Sequence, residues 1–75
     1  MNESKIDQQI QLNKMAVFHM VQDYVNSITE YAFEEELAII YFSNKEQRDN
    51  FVNDLLKIGI LVEISLGEIS IRVSF

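Results

Sequence analysis

Few residue types in this chain could carry chemistry. Its 75 residues include one His, no Cys, two Gly and no Pro. A Cys-based zinc site or disulfide framework is therefore impossible. No Gly-rich loop is present to cradle a phosphate, and no nucleophile–base grouping is visible. His19 and Asp23 stand four residues apart, so a helix would place them on one face. Two ligands do not complete a metal site, and His19 reads as a solvated surface histidine. No catalytic residue, cofactor or metal is expected, and the chain reads as a non-enzyme.

The acidic residues are the one departure from an even pattern. No Lys or Arg occurs between Lys14 and Lys45, and that span holds Asp23, Glu30, Glu34, Glu35 and Glu36. It carries -5 of a total formal charge of -6. If the span is helical, Glu30 and Glu34 are like charges one turn apart at the negative end of the dipole, each disfavoured by about 0.3–1 kcal/mol. Such local conflict can mark a surface kept for a partner. The five residues form a candidate acidic patch for docking a basic protein surface. The bland alternative is a solvated loop whose acids promote solubility and blunt a sheet edge. A cation site would need oxygen ligands separated by a turn, a pattern not found here.

The total charge and a sequence pI near 4.5 argue against a direct grip on nucleic acid or anionic lipid. Tyr24 and Tyr31, without basic neighbours, read as core rather than as a stacking platform for bases. Lys45, Arg48 and Lys57 alternate with Glu46, Asp49 and Asp54, which reads as a solvated, salt-bridged face. The longest apolar run, Leu37 to Phe42, is too short to span a bilayer. The N-terminal residues lack a basic segment followed by an apolar run, so a cytoplasmic location is expected.

The elements that position these residues follow from periodicity. Ile6, Ile10, Val17, Val21, Tyr24, Ile28 and Tyr31 share one stripe at about 100° per residue, which predicts a helix over 5–33. Ser4 is expected to cap it, with Asp7 as capping-box partner. A helix of that length measures roughly 42 Å. A compact chain of this size is only about 30 Å across. The helix must overhang by about two turns or break, and residues 1–14 are the candidate overhanging extension of a single domain spanning 1–75. An overhanging apolar stripe needs cover, and a second copy is the simplest.

The run from 36 to 42 reads as a strand covered on both faces. Ser43 and Glu46 form a capping box for a second helix, stopped by Gly59. A β-hairpin ends the chain, turning at Gly67-Glu68 in the manner of a type II′ turn. Across that turn Ile64 faces Ile71, Glu63 faces Arg72, Val62 faces Val73 and Leu61 faces Ser74. A slip of one residue would mismatch both faces. There are no internal repeats, linkers or low-complexity stretches.

The expected architecture is α+β, in the order α-β-α-β-β. Both helices pack on one face of a three-stranded sheet; the favoured order puts the last strand in the centre, antiparallel to both neighbours, and the alternative puts the second strand there, parallel to the first. On the other face an apolar row of the first strand lacks cover. Ile6, Ile10, Ile40 and Phe42 are therefore the candidate self-association residues. The functional expectation is a small acidic protein–protein interaction module, homodimeric, binding a partner with a basic surface and touching neither nucleic acid nor membrane. The alternative is a DNA mimic or charge-based inhibitor of a nucleic-acid-binding protein, of the kind mobile elements encode.

Overall fold

Residues 2–65 and 67–75 are described by the computed structural model, with side chains from Asp7 onward. Helix α1 runs over Asn2–Asp23, and a 3-10 turn over Val25–Ser27. Strands β1 (Ile28–Phe33) and β2 (Leu37–Phe42) follow, then helix α2 (Lys45–Lys57). Strands β3 (Leu61–Ile64) and β4 (Ser70–Ser74) close the chain.

The long helix breaks at Asp23, and this corrects the predicted 5–33 span. Helical bonding ends where the Tyr24 amide donates to the Met20 carbonyl at 3.0 Å. The Ser27 amide then donates to the Tyr24 carbonyl at 2.8 Å, tightening the chain into a reversal. Ser43 fixes that reversal through its amide at 2.8 Å and its hydroxyl at 3.3 Å, both on the Ser27 carbonyl. The residues beyond it, Ile-Thr-Glu-Tyr-Ala-Phe, are mostly β-branched or aromatic and suit a pleated edge. The apolar stripe continued through Ile28 and Tyr31 because a register shift between Ile28 and Glu30 puts both on the helix side of the sheet, at a three-residue spacing that also suits a helix. With no helix at Glu30 and Glu34, the predicted clash with the helix dipole does not arise. Ser4 lies inside α1 and is not its cap.

β1 adds a fourth strand to the three expected. The sheet order among the described residues is β1-β2-β4-β3, with every neighbouring pair antiparallel. The expected central position of the last strand holds: β4 lies between β2 and β3. The hairpin register also holds at all four pairs, from Leu61–Ser74 to Ile64–Ile71. Ser65 continues it by donating its amide to the Ser70 carbonyl at 3.1 Å. The turn itself includes Leu66, which lies outside the described residues. Glu63 and Arg72 are register partners, yet no ion pair joins them among the described residues. The topology consists of two αββ halves, α1-β1-β2 and α2-β3-β4, joined edge to edge by β2 and β4.

Both helices cover the same face of the sheet. Ala38 and Ile40 of β2 pair with Val73 and Ile71 of β4, so their side chains share that face. All four are at most 1% exposed, with Val17 and Val21 of α1 and Phe51 and Leu55 of α2 above them. Phe42 meets Phe51 edge-on at 5.3 Å between ring centroids. Ile40 and Phe42, expected on an uncovered face, are core residues, 0% and 4% exposed. The uncovered row of β2 is the other one, Leu37, Ile39 and Tyr41, each half-buried. Pairing with Val73 and Ile71 of β4 is what places the Ala38, Ile40 and Phe42 row under the helices. Burying a side chain such as Ile40 contributes about 1.5–3 kcal/mol.

Helix α2 begins one residue later than predicted. Asn44, not Ser43, is its cap, and its side chain accepts from the Gln47 amide at 2.8 Å. Ser43 is occupied by the Ser27 contact. Arg48, expected on a solvated face, is 6% exposed and donates through Nε and Nη2 to Asp49 Oδ1 at 3.0 and 2.8 Å. Its charge is paired with Asp49 where the side chain is buried. At the other end Gly59 adopts φ +78. Its amide donates to Leu56 O at 3.1 Å and the Ile60 amide to Leu55 O at 3.1 Å. This is the Schellman arrangement, with buried Leu55 and Ile60 beside each other.

A Cβ added at Gly59 would meet nothing within 4 Å. The cost of Gly59→Ala is therefore purely conformational, about 1–2 kcal/mol for a left-handed L-residue. A thermal melt followed by circular dichroism should show a midpoint about 4–8 °C lower for each kcal/mol lost. An unchanged midpoint would contradict the cap.

Candidate functional site

α1 uses only part of its circumference on the sheet. Val17 and Val21 face inward at 0% exposure, while Leu12, Met15 and Phe18 remain 60%, 58% and 46% exposed. Their three-residue spacing gives an apolar ridge slanting along the outer flank of α1. That flank overlooks β1, which pairs with β2 on one side and, among the described residues, with no strand on the other. Tyr31 and Phe33 of β1 pair with Ile40 and Ala38, so they point to the helix face beneath the ridge. Met15 and Phe18 of the ridge, with Tyr31 and Phe33, line an open groove of about 580 Å³, while Leu12 borders the next hollow along α1 with Asp7, Gln8 and Gln11.

The groove is aromatic and apolar. Phe18 meets Phe33 edge-on at 5.8 Å, and Tyr31 meets Phe33 edge-on at 5.8 Å. Phe75 stacks on Phe33 from the other side at 5.9 Å and an interplanar angle of 14°. Lys14 and His19 supply the cationic and titratable side chains of the lining, which holds no carboxylate among the described residues. Lys14 Nζ lies 5.9 Å from the Phe75 ring centroid and donates to the Glu35 carbonyl at 3.4 Å.

The candidate acidic patch does not assemble as one surface. Glu34, Glu35 and Glu36 stand together in the β1–β2 turn, closed by the Glu34 amide donating to Leu37 O at 2.8 Å. Asp7 joins them: with Ile10 of α1 it borders the same shallow hollow as Glu35 and Glu36. Asp23 ends α1, sixteen residues and about 24 Å of helix away from Asp7. Glu30 pairs with Tyr41, placing it with Ala32 on the uncovered face of the sheet. The sequence linked five acids that the fold distributes over three places.

The candidate self-association set is likewise rearranged. Ile10 is half-buried against the β1–β2 turn instead of standing free. The side chain of Ile6 lies outside the described residues. On this flank the exposed apolar positions are Leu12, Met15, Phe18 and Tyr31, none of them in the predicted set; Val25, Leu56, Ile58, Leu61, Ile64 and Ile69 are exposed elsewhere. Leu12 falls off the stripe that defined that set. Only the end of α1 at Asp23 and the return of β1 beside it give this flank its meaning.

No group of three or more His, Asp and Glu able to hold a metal ion occurs among the described residues. His19 is exposed, as expected, and lies at the rim of the groove. No described helix is long and apolar enough to cross a membrane. Comparison with known proteins finds no matching family model, no matching curated protein and no matching solved structure.

One polar contact holds the two helices in register behind this surface. The Tyr24 hydroxyl donates to Asp54 Oδ2 at 2.8 Å, and its ring meets Phe51 edge-on at 5.0 Å. Burial of Tyr24 pushes its hydroxyl up from 10.0 to about 12, helped by the hydrogen bond and by the negative charges of Asp54 and Asp23. A raised value means that the neutral hydroxyl stabilises the fold fully below pH 10. That contribution is lost as pH rises from 10 toward 12. Tyr24→Phe should cost about 1–2 kcal/mol near neutral pH. Urea unfolding should show the gap between wild type and Tyr24→Phe closing across that alkaline window; a gap independent of pH there would reject the coupling.

Proposed function

We propose that this chain is a protein–protein interaction module, acting by binding a partner protein and not by catalysis. One observation carries the reading: the ridge of Leu12, Met15 and Phe18 stands uncovered over an unpaired strand edge. Small proteins rarely leave contiguous apolar surface in water unless something covers it. Buried interface cores favour aromatic residues and Met over charge, and the groove has that composition. The concentration of acid in the β1–β2 turn adds a rim suited to a basic partner surface, which would guide encounter more than hold the complex.

The second reading, a DNA mimic or charge-based inhibitor, has only the Glu34-Glu35-Glu36 turn in its favour. Phosphate mimicry needs carboxylates in a long regular row, whereas Asp23 and Glu30 lie apart from that turn.

A photo-reactive residue in place of Met15 tests the first reading inside cells. A covalent adduct with a protein is expected from position 15 and not from Asn53, an exposed control on α2. Equal labelling from both positions, or none from either, would reject the reading. Replacing Glu34, Glu35 and Glu36 together by Gln separates the two hypotheses. The apolar mode should keep its adduct at high salt, whereas a charge-based mode should lose capture with the carboxylates and with screening.

A further inference from the structure

We infer that the groove between α1 and β1 is filled by a second copy of the chain, through β1–β1 pairing about a two-fold axis. The inference rests on reading the chain as an interaction module and specifies what occupies its surface. Two features on one flank support it. One is the ridge of α1; the other is the free edge of β1.

The edge can be derived from the turn. The Glu34 amide bonds to Leu37 across the β1–β2 hairpin, and hydrogen-bonded pairs alternate along antiparallel strands. Ala32 and Glu30 therefore direct their backbone groups toward β2, while Tyr31 and Phe33 direct theirs outward. An outward-facing set of amides and carbonyls is a template for another strand. Strand β3, the other edge, is shorter at four residues against six.

Charge selects the occupant. Among the described residues the groove lining holds no carboxylate, and Lys14 is its charged member. A basic segment would find no counter-charge inside it. An uncharged apolar ridge fits, and the molecule carries one on the adjoining helix. A two-fold axis through β1 brings ridge to ridge over the joined strands, which is the self-complementarity an isologous interface requires.

The register follows as well. Centring the axis on Ala32 would set Glu30 opposite Glu34 of the second copy, a like-charge pair that opposes assembly. Centring it on Tyr31 sets Glu30 opposite Ala32 and lets the outward N–H of each Tyr31 donate to the Tyr31 carbonyl of the other copy.

The available area agrees. At about 200 Å² per side chain of this size, Leu12, Met15, Phe18 and Tyr31 leave roughly 400 Å² of surface exposed. A standard interface hides about 800 Å² per partner. The rest would come from the edge of β1 and the flanks of Lys14, His19 and Phe33. The accessible surface of 5288 Å² also exceeds by about a tenth the roughly 4,800 Å² expected for a chain of 8.8 kDa.

Sedimentation equilibrium of the full chain gives the test, with Met15→Asp and Leu12→Asp as ridge variants. Both positions are more than half exposed, so the fold should survive, which circular dichroism checks. Leu61→Asp, at a position 75% exposed on β3, is the control. A micromolar dimer is expected, weakened at least tenfold by either ridge variant and unchanged by Leu61→Asp. Both copies are acidic, so added salt should tighten it. In hydrogen exchange, the Tyr31 and Phe33 amides should be protected in the dimer and labile on dilution. A dimer broken by Leu61→Asp instead, or one with labile Tyr31 and Phe33 amides, would overturn the proposed interface. A monomer at all concentrations would overturn the second copy as occupant. The interaction reading would survive that result if the position-15 adduct were with a different protein.

Discussion

Strand β2 is hydrogen-bonded on both edges and covered on one face, and the rest of the molecule is arranged around that requirement. Its six residues include no charged side chain, so leaving either edge in water would expose an aggregation-prone segment. One edge is taken by β4, the other by β1. Supplying β1 is what compels α1 to end at Asp23. The helix could have gained packing by continuing, but the ladder on β2 would then have been lost. Long-range pairing therefore overrides the local periodicity of the segment around Ile28 and Tyr31. The same break leaves α1 lying beside the strand that follows it, and this proximity creates the groove.

How much of this could be read in advance depended on whether the signal was local. The terminal hairpin was legible because a single short turn fixes every pair beyond it. Gly59 was legible because a helix stop followed directly by a strand has one common solution. The central position of β4 was legible because its neighbours were constrained by a hairpin on one side and a crossover on the other. The strand at Ile28–Phe33 was not, since its inward residues recur at positions that also suit a helix. The face assignment of β2 failed for a related reason. Alternation divides Leu37, Ile39 and Tyr41 from Ala38, Ile40 and Phe42, but only pairing with Ile71 and Val73 decides which row meets the helices.

The site was less legible than the fold. Five acids close in sequence suggested one patch, yet a helix end, an edge strand and a turn carry them to different places. Conversely, Leu12, Met15, Phe18 and Tyr31 belong to two elements that sequence reading had fused into one. A groove between elements has no signature until both elements and their relative placement are known. The length argument pointed to an overhang or a break, and α1 does end at Asp23. The radius of gyration of 12.4 Å and extents of 42 × 23 × 22 Å show that an elongated shape persists even after the break.

The two αββ halves have a consequence for the order in which the chain assembles. Within each half the partners are near neighbours in sequence: α1 leads into β1, β1 turns directly into β2, and β3 turns into β4. Of the three ladders, only the one between β2 and β4 joins residues some thirty positions apart. Closing that loop carries the main entropic cost, and proteins dominated by local contacts fold fast. Each hairpin can form on its own on a microsecond scale, with the joining of β2 to β4 as the slow event. Until it occurs, Ile40 and Ile71 remain in water, so the transient species most open to misassociation is one with both hairpins made and the central seam still unzipped.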